Sequence, residues 1–241
     1  MTNKSSNYVF SSKSKNIKSV FNTPDYQEYK TKKVKTQKRN EKIYKITSLG
    51  GSTQSVKYLI IANVIIFIAS FYLFPNDINN LALYNITSDN FQPWQIITSM
   101  FVHGGLMHIL FNMFALWAIG NSVVQTVGDK KFLQIYFISG LLGSIFCMLF
   151  CFSPVVGASG AICGILSAMA ILNPNTTVYL LFIIPLNLKK FTIWFTVISG
   201  IFGILSIINP AYGFGIAHFG HFGGLIGGYI TMTYWKKKLK F

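Results

Sequence analysis

The chain has 241 residues, is 51% hydrophobic and carries a formal net charge of +15. Its apolar residues fall in long blocks almost free of charge, which excludes an ordinary soluble domain and marks membrane-spanning helices. Nor does the basic excess mark a nucleic-acid binder: 12 of the 21 Lys and Arg precede residue 56, and the others flank apolar blocks, where they orient spans and attract anionic lipid.

Taken in chain order, residues 1–55 are rich in Lys, Ser, Asn and Thr and read as a mobile basic cytosolic tail, with a short helix around Pro24 to Lys33. The first apolar block, Tyr58 to Phe74, lies too far along the chain for a secretory signal and is expected to stay as an anchor. Spans are expected at about 57–75, 104–124, 131–152, 159–172, 190–208 and 217–235. The fold class is therefore an all-α membrane protein, a six-transmembrane-helix bundle whose short fourth helix starts inside the membrane. Its domains are the tail at 1–55, the six-span domain at 56–236 and a basic cytosolic C-terminus at 237–241. The polar stretch Asn76 to Ser99 is too long for a tight connection and is expected to pack as a partly embedded loop. No internal repeat is evident, which speaks against an inverted-repeat transporter. Cys147, Cys151 and Cys163 lie in predicted spans without CxxC or zinc spacing, so they read as small buried side chains. No metal or cofactor is expected.

Connections with and without basic residues alternate. The tail is basic, the 76–99 loop has no Lys or Arg, Lys130 and Lys131 follow, Ser153 to Ala158 is uncharged, Lys189 and Lys190 follow, Asn209 to Ile216 is uncharged, and Lys236 to Lys238 close the series. Positive-inside logic puts both termini in the cytosol with an even number of spans between them. The Lys-, Asn- and Ile-rich composition suggests an AT-rich bacterial genome, hence a bacterial cytoplasmic membrane.

The fourth predicted span is short. Ser159 to Leu172 extends for about 21 Å at 1.5 Å per residue, less than a bilayer core. With Pro174 at its cytosolic end, Ser159 lies below the outer surface, and the segment before it is non-helical at membrane depth, next to protein or water. Unpaired N–H groups at that helix start suit a developing negative charge. The alternative is that Ser159 merely caps its helix, a favoured role for serine.

The last span carries His218 and His221, and histidine inside a span suggests function. Gly220, Gly224 and Gly228 on it, and Gly160 and Gly164 on the fourth, make small faces that let two helices approach closely. Ser159 stands 15 residues before Pro174, and His221 stands 15 before Lys236, so the two are expected at one depth on touching faces. Imidazole can take the hydroxyl proton and return it to a leaving amine. After the tail the acidic residues are Asp77, Asp89 and Asp129, all in predicted loops, so a Ser–His dyad is the natural reading, and an aspartyl or HExxH zinc site is not. On the second span His108 and Asn112 share a face at i,i+4 and can donate to an oxyanion with the Ser159 N–H, or can serve as polar glue between helices. His103 reads as structural.

Three blocks together resemble the rhomboid family of intramembrane serine proteases. Gly157-Ala158-Ser159-Gly160 is similar to its GxSG motif, His221-Phe222-Gly223-Gly224 through Gly228 to its HxGGxxxG segment, and Pro93-Trp94 through His108 and Asn112 to its HxxxN region. The resemblance implies that Ser159 is the nucleophile and His221 the general base, His221 being preferred to His218 for its place ahead of the Gly-Gly pair. It implies that His108 and Asn112 stabilise the oxyanion. It also implies a serine endopeptidase acting in the lipid bilayer on transmembrane segments of other membrane proteins, near their outer ends. Three positions depart from the family pattern: Gln95 where an Arg often follows Pro-Trp, Gln125 where Glu is common, and Cys163 where an aromatic often packs the histidine. The alternative reading is a non-catalytic membrane protein that binds spans in the same cavity.

Overall fold

A computed structural model describes residues 23–32, 34, 53–73, 78–180 and 183–239. The chain divides after Gly50 into two units, each taken by itself. In the first, residues 24–32 are helical. Thr23 Oγ1 accepts the Tyr26 amide at 3.4 Å, and Glu28 pairs with Lys32 at 2.6 Å, one turn apart on an exposed face. This is the short helix expected after Thr23; Lys33 and the remainder of the expected tail up to residue 52 lie outside the described residues, apart from Val34.

The second unit is mostly helical. Its elements are α1 (Gln54–Ile68) running into a wide turn (Ala69–Leu73), α2 (Ile78–Leu81), α3 (Gln95–Thr98), α4 (Leu106–Val127), α5 (Asp129–Phe150) and α6 (Ser159–Leu172). Then come β1 (Thr177–Leu180), β2 (Ile184–Asn187), α7 (Leu188–Ile208), a 3-10 turn (Pro210–Gly213) and α8 (His218–Leu239). Among the described residues, four helices are long and apolar enough to cross a membrane: α1 with its turn, α4, α5 and α7. The 14-residue α6 is shorter, and α8 is rich in glycine and ends in Lys236 to Lys238. α8 runs on to Leu239, past the expected end at 235, because lysines leave hydrocarbon without leaving the helix.

The mostly helical unit also holds one small sheet, which the all-α expectation did not include: in the connection after α6, β1 and β2 form an antiparallel hairpin with Thr177 opposite Asn187. Thr177, Val178 and Tyr179 are β-branched or aromatic, which favours an extended chain. The hairpin also places Asn187 to cap α7, its Oδ1 accepting the Lys190 amide at 3.1 Å, so α7 starts at Leu188 instead of 190.

The polar stretch before α4 is folded, not loose. Leu83 and Val155 exchange two backbone hydrogen bonds of 2.9 Å, and Asn85 Nδ2 donates to the Cys151 carbonyl at 3.2 Å. Gln95 is buried and uses its whole amide: Oε1 accepts from Gln92 and Tyr84, and Nε2 donates to the carbonyls of Asn90 and Asn80. A neutral group thus organises this stretch at the position where the family pattern has a guanidinium.

α6 lies at the centre, with residues 161–170 all buried. It meets α8 backbone to backbone: a methyl on Gly224 would run into the Gly160 carbonyl, and one on Gly228 into that of Gly164. α5 joins them, since a methyl on Gly143 would lie 2.6 Å from the Gly220 carbonyl and one on Gly164 would strike the Ser139 side chain. Gly224→Ala is expected to cost about 1–3 kcal/mol through overpacking, despite the better helix propensity of alanine, and to lower the melting temperature in detergent. Gly105→Ala, whose methyl meets no atom within 4 Å, is the control expected to leave it unchanged.

Candidate active site

The segment from Cys151 to Ala158 delivers the serine. Cys151 ends α5 in an extended conformation (φ −96°, ψ 127°), and the strand pairing of Val155 with Leu83 carries the chain to Gly157. Gly157 has φ +123°, where a side chain is strained, and its amide donates to the Ser99 carbonyl at 2.8 Å. A Cβ there would also lie 2.8 Å from the ring of His108. The glycine is needed twice over, for its dihedral and for the histidine beside it.

Ala158, not Ser159, occupies the N-cap of α6, and no side chain caps the helix. The first intrahelical bond runs from the Ile162 amide to the Ala158 carbonyl at 3.0 Å. The amides of Ser159, Gly160 and Ala161 therefore precede the ladder and carry the positive end of the helix dipole. The Ser159 hydroxyl is turned elsewhere: its Oγ lies 2.9 Å from His221 Nε2 on α8. A cavity of about 20 Å³ adjoins this contact, lined in part by Ser159, Gly160, Ser99, Ser144, Cys147 and Gly220. That is room for one water.

The far nitrogen of His221, Nδ1, is buried and meets no hydrogen-bonding protein group. Among the described residues no carboxylate stands behind it. Asp129 accepts from the hydroxyl and amide of Ser55 at the start of α5, Asp89 is exposed, and Asp77 lies outside the described residues. What holds the ring is aromatic packing. Phe195 of α7 sits 5.8 Å from it, centre to centre, and is itself stacked on Phe191 at 5.8 Å and 3°. Phe195 thus supplies a ring beside His221 although Cys163, where an aromatic side chain was to be looked for, is a small buried thiol.

His218 is not at the serine contact. It stacks on Phe202 at 5.4 Å and 25°, with its ring centre 6.4 Å from that of His221. On α4, His108 Nδ1 accepts the Gly104 amide at 3.4 Å, which leaves the proton of a neutral ring on Nε2, the atom beside Gly157. Asn112 is buried; its Nδ2 donates to the His108 carbonyl at 2.9 Å and faces Gly157 from slightly farther off. His103 is buried against His108 at 5.1 Å, its Nδ1 3.2 Å from the Phe101 carbonyl. Among the described residues no three His, Cys, Asp or Glu side chains gather in a way that could hold a metal ion.

The structure thus brings Ser159 to His221, and His108 and Asn112 to Gly157, two residues ahead of the serine. Sequence reasoning did not reach Phe195 or the demand on Gly157. The first had no signal, being one of 22 Phe in an apolar chain. The second was legible only in the glycine itself.

A rhomboid-domain family profile matches residues 90–238, more than half of the chain. The chain is 38% identical over 143 residues to "Rhomboid protease GluP" of Bacillus subtilis (strain 168), an overlap of 57% of this chain and 25% of that protein. It is 28% identical over 197 residues to "Rhomboid-like protease 3" of Toxoplasma gondii, covering 78% of this chain and 71% of the relative. It also matches "Inactive RHOMBOID-like protein 8" of Arabidopsis thaliana, at 35% over 83 residues, 34% of this chain and 24% of that one. The chain thus spans about a quarter of the Bacillus relative's length and about seven tenths of the Toxoplasma one's. With its long apolar helices the chain is an integral membrane protein, and it belongs to the rhomboid family.

Proposed function

We propose that the chain is an intramembrane serine endopeptidase that cleaves transmembrane segments of other membrane proteins with a Ser159–His221 dyad. The observation that carries this reading is the 2.9 Å contact between Ser159 Oγ and His221 Nε2 at the start of a buried helix. The names of the Bacillus and Toxoplasma relatives, both called proteases, support it.

In this mechanism Ser159 Oγ attacks the substrate carbonyl while His221 Nε2 takes its proton, then returns it to the leaving amine. The negative oxygen is received by the Ser159 amide, His108 Nε2–H and the second N–H of Asn112. A water next attacks the acyl-enzyme, again with His221 as base. Among the described residues Nδ1 has no carboxylate to donate to, so the imidazolium gains none; Phe195 packs against the ring instead. The reading includes a membrane arrangement. α1, α4, α5, α6, α7 and α8 cross the bilayer within residues 56–236, and the 1–55 tail and the 237–241 end are both in the cytosol of a bacterium. α6 spans about 21 Å, so Ser159 sits beneath the outer surface.

The test is labelling of the purified protein by a fluorophosphonate, together with cleavage of a model transmembrane substrate. Wild type is expected to label and to cleave, and Ser159→Ala and His221→Ala to do neither. His108→Ala and Asn112→Ala are each expected to lower kcat by roughly 10- to 1000-fold. Folded wild-type protein that neither labels nor cleaves would leave a non-catalytic binder of membrane spans in its place. Phe195→Ala is expected to reduce kcat by up to about tenfold, the worth of one aromatic contact, with KM unchanged and Phe195→Tyr near wild type.

A further inference from the structure

We infer that Cys147 and Cys151 form a thiol-exchange site that a low-molecular-weight disulfide converts to an internal disulfide. The two sulfurs lie 3.0 Å apart at the end of α5. Residues four apart at a helix end have Cα atoms about 6 Å apart, inside the range a disulfide spans. The two thiols differ in access. Cys147 is buried, whereas Cys151 is half-buried at the position where the helix has given way to extended backbone, beside exposed Phe152, Ser153 and Pro154. Cys151 is therefore the thiol a reagent meets first, and Cys147 is already in contact with its sulfur.

The chemistry balances in two exchanges. The Cys151 thiolate attacks one sulfur of the reagent, forming a mixed disulfide and releasing one thiol. Cys147 then attacks the Cys151 sulfur, closing the internal S–S bond and releasing the second thiol. Two protons and two electrons pass from the protein to the reagent, which leaves as two thiols. The second step needs no solvent path, because the attacking sulfur is already in place.

The location gives the exchange a consequence. Cys147 lines the cavity beside Ser159, and its sulfur packs against Gly220, the neighbour of His221: a Cβ on that glycine would lie 3.0 Å away. Cys151 begins the segment that carries Ser159, and its carbonyl is held by Asn85. Closing the ring joins the last turn of α5 to the start of that segment.

The experiment treats the full chain in detergent with oxidised glutathione, alkylates it with N-ethylmaleimide and maps the cysteines by mass spectrometry. In wild type, alkylation of the half-buried Cys151 is expected to be lost, with two hydrogens missing from the Cys147–Cys151 pair, and to return after dithiothreitol. Cys163, buried in α6, stays unmodified and reports that the fold is intact. Cys147→Ser is expected to trap glutathione on Cys151, because the resolving thiol is gone; Cys151→Ser is expected to carry neither adduct nor disulfide. Wild type that keeps Cys151 as reactive to N-ethylmaleimide as before oxidation overturns the inference. So does a folded Cys147→Ser variant that holds no glutathione.

Discussion

Lipid tails are as apolar as leucine, so within a bilayer no hydrophobic force presses one helix against another. What holds α5, α6 and α8 together is backbone laid on backbone, made possible where Gly143, Gly160, Gly164, Gly220, Gly224 and Gly228 leave out a side chain. The same contact sets the site. Ser159 precedes Gly160 and His221 follows Gly220, and a Cβ on Gly160 would lie 3.2 Å from the Gly220 carbonyl. Two side chains carried by helices this close can meet at 2.9 Å with neither reaching far. Dispersion between tightly packed backbones thus sets the distance between the hydroxyl and the imidazole.

Polar groups do a different task, on the rim of this packed centre. The Leu83–Val155 bridge, the Asn85 bond to Cys151 and the Gly157 bond to Ser99 tie the non-helical backbone of 151–157 to the stretch before α4. Away from water each such group must find a protein partner. Gln95 satisfies four backbone groups with one buried amide, which explains how this chain keeps the stretch folded without an arginine there.

α7 stands apart from this construction. In its most apolar window 17% is buried, against 44% for α5, and rings are its contact with the two histidines of α8. Gly200 and Gly203 face Phe222 and Phe219 of α8, so that here glycine receives an aromatic ring instead of another backbone. The contacts among α5, α6 and α8 are backbone on backbone, whereas the side of the site that α7 provides is built of rings.

The sequence alone carried most of the helical layout, because apolar blocks long enough to cross a bilayer, punctuated by lysines, admit few other readings. It carried the α6–α8 contact too, since glycines four apart on two helices have one use at that spacing. It did not carry the β1–β2 hairpin, whose four-residue strands are too short for a periodicity to register. Nor did it carry the burial of Gln95 or the placing of Phe195 against His221. Those depend on partners 3 to 26 residues away in the chain, and an amide or a ring has no meaning as a partner until the backbone has brought the other group to it. The residue types that meet at Ser159 were readable in advance; the distance between them, and the ring that holds the histidine still, were decided by how closely the helices pack.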